Sequence, residues 1–101
     1  MMSEVQERAL RRIIETARQS GATPIVLLEP GHYPDDVDDQ ALNAYRSWLS
    51  ALVDELDVEY WDSYSLDWDA SFYADETHFN LRGTIEFTDY IGKRLLELKT
   101  R

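Results

Sequence analysis

Two side chains in this sequence sit at a spacing that does chemistry. Asp75 and His78 lie three residues apart in the run F-Y-A-D-E-T-H-F-N-L-R-G, residues 72–83, just ahead of an apolar pattern that reads as a helix. In a turn leading into a helix, a carboxylate three positions before an imidazole accepts a hydrogen bond from Nδ1. That fixes the tautomer and leaves Nε2 to act as a general base. It is the acid and base half of a nucleophilic triad. The same two letters have a plainer reading, in which the Asp only caps the helix that follows. Ser63, Ser65 and Ser71 are the nearest hydroxyls, and none sits in a glycine-bearing elbow that would expose a nucleophile. Asp75 and His78 are too few ligands for a metal, even with His32 recruited, and no cofactor is implied.

The stretch D-E-T-H-F-N-L-R-G resembles the last sequence block of the SGNH hydrolases, the GDSL-like esterases and acylhydrolases. There an Asp-x-x-His pair is followed by Asn, then Gly, then the final helix. The lead-in Phe72-Tyr73 and the run from Gly83 to Thr88 look most like the branches similar to D-alanyl transfer proteins and alginate O-acetyltransferases. By that resemblance Asp75 matches the triad acid and His78 the base. The family's other blocks are missing: there is no Gly-Asp-Ser segment for a nucleophile and no earlier block with the oxyanion-hole Gly and Asn.

The elements that must position the pair follow from periodicity. Ser3 with Gln6 reads as a capping box opening a first helix. Val5, Leu10, Ile13, Ile14 and Ala17 form its apolar face, Gly21 ends it and Pro24 follows. Pro24 to Glu29 is a branched apolar run closed by Pro30-Gly31, which predicts a central parallel strand covered on both faces. Its C-terminal end opens into residues 30–38, the edge where open α/β sheets bind ligands. His32 lies there, and a solvated loop histidine is the more ordinary outcome. Asp35, Asp36, Asp38 and Asp39 lack the pattern of a calcium loop and suit the start of the next helix better.

That second helix is predicted over Ala41–Asp54, with Leu42, Tyr45, Leu49, Leu52 and Val53 in its stripe and Trp48 broadening it. It is the crossover of a right-handed βαβ unit. Val58–Asp62 then reads as a second strand, at an edge or half covered. Tyr64, Trp68, Phe72 and Tyr73 lie in the loop after it. They either wall an acyl or sugar site or fold under as a plug for the core, the plug being favoured. Tyr60, Trp61 and Trp68 are candidates for shaping specificity. Asn80 is placed to cap a final helix, Leu81–Lys99, whose buried face would be Leu81, Ile85, Ile91, Leu95 and Leu98. Gly83 allows close backbone approach at its first turn.

Composition bounds the partners. With 101 residues and a net charge of -10, the chain suits one small soluble domain, and its charge argues against nucleic acid and anionic membrane. No cysteine is present, so thiol chemistry and disulfides are excluded. No run approaches the ~20 apolar residues of a spanning helix, and the start is not a signal sequence; the compartment stays open.

The inventory is α/β, in the order α-β-α-β-loop-α with two parallel strands. Two such strands leave unpaired edges that something must cover. The resemblance implies that residues 1–101 are a single C-terminal half-domain of a flavodoxin-like, SGNH-type three-layer fold. Its sheet is then completed by an N-terminal half, or by a second copy in a homodimer. It also implies ester hydrolysis or O-acyl transfer on an acyl-ester or carbohydrate substrate, by the complete domain and not by this chain alone. The alternative is a non-catalytic α/β interaction module that dimerises through its open sheet edge.

Overall fold

In the computed structural model, which describes residues 4–31, 39–66, 68–75 and 78–100, the chain is a mixed α/β protein with three helices and a two-stranded parallel sheet. The elements are α1 (Glu4–Gln19), β1 (Ile25–Leu28), α2 (Asp39–Glu55), β2 (Glu59–Asp62) and α3 (Leu81–Lys99). Short 3-10 turns stand at Ser63–Ser65 and Ala70–Phe72. Ser3, His32, Asp35, Asp36 and Asp38, each given a reading above, lie outside the described residues. The chain divides into two compact units, one of Met1–Glu29 with Asp36–Ser63 and one of Pro30–Asp35 with Tyr64–Arg101.

The first unit is a βαβ motif with a helix in front. β1 and β2 pair in parallel, Ile25 opposite Glu59 through Leu28 opposite Asp62. Alternation sends Val26, Leu28 and Tyr60 to one face, where they pack on Ile14 of α1, on Leu49 and Val53 of α2, and on Val58. Charged and polar contacts frame this core. Arg11 reaches Glu55 at 2.6 Å, the Trp48 indole donates to Glu7 at 3.0 Å, and Arg46 pairs with Asp62 at 2.9 Å. The Ser63 hydroxyl, fully buried, donates to the Leu28 carbonyl at 2.5 Å and so ties the ends of the two strands.

Both helices of this unit end in the same hydrogen-bond motif. After α1, Gly21 at φ 86° donates to Arg18 O and Ala22 donates to Ala17 O. After α2 the left-handed position is filled by Asp57 at φ 52°, with Asp57 N–H to Asp54 O and Val58 N–H to Val53 O. Val53 and Val58 are both buried, which supplies the apolar contact that accompanies this cap. The Asp57 carbonyl also accepts from Arg18 at 2.7 Å.

The second unit has an aromatic interior. The Trp68 ring meets Phe79 at 5.5 Å, Phe87 at 5.8 Å and Tyr90 edge-on at 5.8 Å, while Tyr73 lies 4.8 Å from Phe79. Of the loop aromatics, Trp68 therefore folds under α3 and Tyr73 packs on Phe79. This moves the packed side of α3 away from the aliphatic stripe that periodicity selects. Gly83 is buried and Phe87 and Tyr90 are half-buried, as are Ile91 and Leu98 of the expected face, whereas its Leu81, Ile85 and Leu95 are exposed, as is Leu96. Periodicity reports an amphipathic helix but not which of two adjacent stripes meets the rest of its own chain. The same holds on α1, where Ile14 is buried but Val5 and Ile13 stand in solvent. β1, expected to be covered on both faces, is half-buried at all four residues, and β2 is its sole neighbour in the sheet among the described residues.

Asp57 is held in a backbone region that disfavours a Cβ, and it places a negative charge at the negative end of α2. Replacing it relieves both effects. The variant Asp57→Gly should gain about 0.5–1 kcal/mol in urea unfolding.

Candidate functional site

The Asp75–His78 loop is closed at its base before either side chain is considered. Tyr73 and Phe79 form an antiparallel bridge, the Ala74 N–H donates to His78 O at 2.8 Å, and the Asn80 N–H donates to Phe72 O at 2.8 Å. Outside the loop, Asp69 caps the 3-10 turn Ala70–Phe72 by accepting the Ser71 N–H at 2.9 Å. On the other side Asn80 caps α3, its Oδ1 accepting the Gly83 N–H at 3.0 Å.

Gly83 is required by this closure. A Cβ there would overlap Phe72 O, and would stand 2.5 Å from Phe79 Cδ1 and 2.9 Å from Phe72 Cβ. Backbone approach this close is open only to glycine.

Within the loop, Asp75 Oδ1 accepts the His78 N–H at 2.8 Å, and the His78 Nδ1 lies 2.9 Å from Oδ1 and 3.0 Å from Oδ2. One carboxylate thus holds both the backbone and the ring of the same residue. A carboxylate only accepts, so the contact requires the proton on Nδ1 and puts the neutral imidazole's lone pair on Nε2. The side chains of His78 and Asp75 are 76% and 60% exposed. An exposed pair of this kind adds about 0–1 kcal/mol to stability, so the fold does not depend on it. The helix-capping reading of Asp75 is met in part, because it does take a backbone N–H, but the cap of α3 itself is Asn80.

No family model, curated protein or solved structure matches this chain.

The three serines stand in different surroundings. Ser63 is buried at the strand ends, Ser65 lies exposed in a 3-10 turn, and Ser71 serves through its backbone, the N–H to Asp69 and the carbonyl to Asn80. Trp68 belongs to the aromatic interior of its unit. Tyr60 and Trp61 belong to the first unit. Trp61 is buried, and burial together with the neighbouring Asp62 pushes the Tyr60 hydroxyl above its ordinary range. Among the described residues, no three His, Asp or Glu come together as a metal site requires. No helix among them is long and apolar enough to cross a membrane.

Sequence reasoning missed two contacts. Asn80 Nδ2 donates to Ser71 O at 2.7 Å, for which no local pattern exists. The pairing of Arg46 with Asp62 had a signal, since Arg46 is the one cation between Arg18 and Arg82.

Two outcomes follow from this geometry. His78→Ala should change unfolding free energy by less than about 0.5 kcal/mol. In the wild type, long-range 1H–15N spectra of the neutral imidazole should show His78 as a single Nδ1–H tautomer, a pattern that Asp75→Ala abolishes. The second outcome concerns acid. The hydrogen bond from the Ser71 amide, then that from its hydroxyl, holds the Asp69 carboxyl below its ordinary range. A lowered pKa means that the charged cap persists as pH falls through the usual carboxylate range and is lost only below it. The Ser71 amide shift, followed through an acid titration, should therefore turn at a lower pH than the bulk of the surface carboxylates.

Proposed function

We propose that this chain supplies the acid and base of an SGNH-type ester hydrolase or O-acyltransferase, whose nucleophile and oxyanion donors come from polypeptide outside these 101 residues. The observation that carries the reading is the Asp75–His78 contact, with Nδ1 gripped by both carboxylate oxygens and an exposed ring. In the complete domain a serine Oγ attacks the ester carbonyl while His78 Nε2 takes its proton. The tetrahedral intermediate then collapses, and His78 returns the proton to the leaving alcohol. Water or an acceptor hydroxyl repeats the cycle on the acyl-enzyme. Asp75 keeps the ring in the required tautomer and stabilises the imidazolium.

The parent fold in this reading is flavodoxin-like, with β1 and β2 as its last two strands. Support comes from what each unit leaves uncovered. Among the described residues β1 and β2 each have a sheet neighbour on one side only, Val5 and Ile13 of α1 are exposed, and so are Leu81, Ile85, Leu95 and Leu96 of α3. Those same exposed groups favour a second reading, a non-catalytic module that pairs with another copy of itself through the β1 edge.

The chain alone should hydrolyse p-nitrophenyl acetate no faster than its His78→Ala variant, because a base without nucleophile and oxyanion hole loses most of the rate. The coding region directly upstream should carry a Gly-Asp-Ser block. Joined to it, the chain should gain ester hydrolysis that His78→Ala removes. A joined protein with no such activity, together with a stable dimer of the chain in light scattering, would favour the module.

A further inference from the structure

We infer that Asn80 is a positioning residue for the Asp75–His78 pair, acting through its side-chain amide and not only as the cap of α3. Three of its four polar groups face three ways, while its carbonyl accepts from Thr84. The backbone N–H donates to Phe72 O at 2.8 Å, Nδ2 donates to Ser71 O at 2.7 Å, and Oδ1 accepts from Gly83 N–H at 3.0 Å. The first two bonds fasten the far end of the Asp75–His78 loop to its near end, and the third fastens that knot to the first turn of a helix. A helix cap needs the third bond alone. Ser, Thr and Asp would supply that bond equally well, but none carries an amide donor to reach Ser71 O.

The neighbourhood is shaped to accept this clasp. The Phe72 carbonyl that takes the Asn80 N–H occupies the space a Cβ at residue 83 would need, so the glycine and the clasp require each other. The 3-10 turn presenting the Ser71 and Phe72 carbonyls is itself fixed by Asp69. Because His78 is only two residues before Asn80, a loosened clasp moves the imidazole relative to Asp75 directly. The bonds at stake, 2.8 Å to the amide and 2.9 Å to Nδ1, are short enough that a small displacement weakens both.

The clasp rests on the acyl-transfer reading only where activity is concerned, and its test has two arms. In the first, Asn80→Asp and Asn80→Ser are made in the full chain. Both keep a good cap, so helicity by far-UV circular dichroism should match the wild type. Both lose the amide donor, so the single-tautomer 15N pattern of His78 should collapse toward an averaged one, and the His78 amide should exchange faster than in the wild type. Retention of the wild-type His78 spectrum by both variants would overturn the proposal and leave Asn80 a cap alone. In the second arm, on the protein joined to its nucleophile-bearing half, Asn80→Ser should lower kcat with KM unchanged. If the joined wild type has no activity, the acyl-transfer reading fails while the spectra still decide the role of Asn80.

Discussion

One carbonyl oxygen, that of Phe72, organises the second unit. It accepts the N–H of Asn80 and lies against the bare α-carbon of Gly83, so the start of α3 and the turn before the Asp75–His78 loop are pressed together at backbone distance. Tyr73 and Phe79 are fixed on each other by the bridge, and Ala74 and Asp75 are tied to His78 by hydrogen bonds. An exposed imidazole normally samples several rotamers, at a cost to any chemistry needing one of them. Here the ring is held by Asp75 and the backbone on either side of it by the closure of the loop. The aromatic interior serves the same end, because Phe79 is both a member of the bridge and a wall for Trp68 and Phe87.

The first unit works differently. Its four-residue strands are too short to be stable on ladder hydrogen bonds, and they persist because α1 and α2 cover one face. Polar groups close the margins of that small core: Arg46 neutralises Asp62 beside Tyr60, and Ser63 uses its only hydroxyl proton on Leu28 O. In a chain with twice as many acids as bases, such placements matter. Arg11 and Arg18 spend their charge on Glu55 and on the carbonyl of Asp57, the crowded acidic end of α2.

What the sequence made legible was local. α3 has the bounds its pattern predicts, and Asn80 caps it as its residue type suggests. β1, β2 and α2 fall within two residues of their predicted limits, and Gly21 ends α1 as a left-handed cap should. The contact between Asp75 and His78 was also readable, since three residues of separation is a distance local geometry can span. The exposed side of α3 was not. Leu81, Ile85 and Leu95 form a better stripe than Phe87 and Tyr90, and only the tertiary placement of Trp68 decides between them. Likewise the reach from Asn80 to Ser71 spans nine residues and leaves no periodic trace.

The two completions of the sheet proposed above differ in strand direction and in charge. A two-fold axis at the free edge of β1 would pair that strand with its own copy running antiparallel. A missing half of an α/β domain would instead lay a parallel strand there, as β2 does on the other side. Charge separates them too. Two copies of a chain at -10 bring like charge together, so self-pairing must overcome repulsion that salt screens and should tighten as salt is raised. A complementing half carries no such obligation, and a basic one would be drawn in by the same charge that holds copies apart. Net charge therefore gives the two proposed readings opposite salt dependences, a symmetric dimer tightening and a basic complementing half loosening as salt is raised.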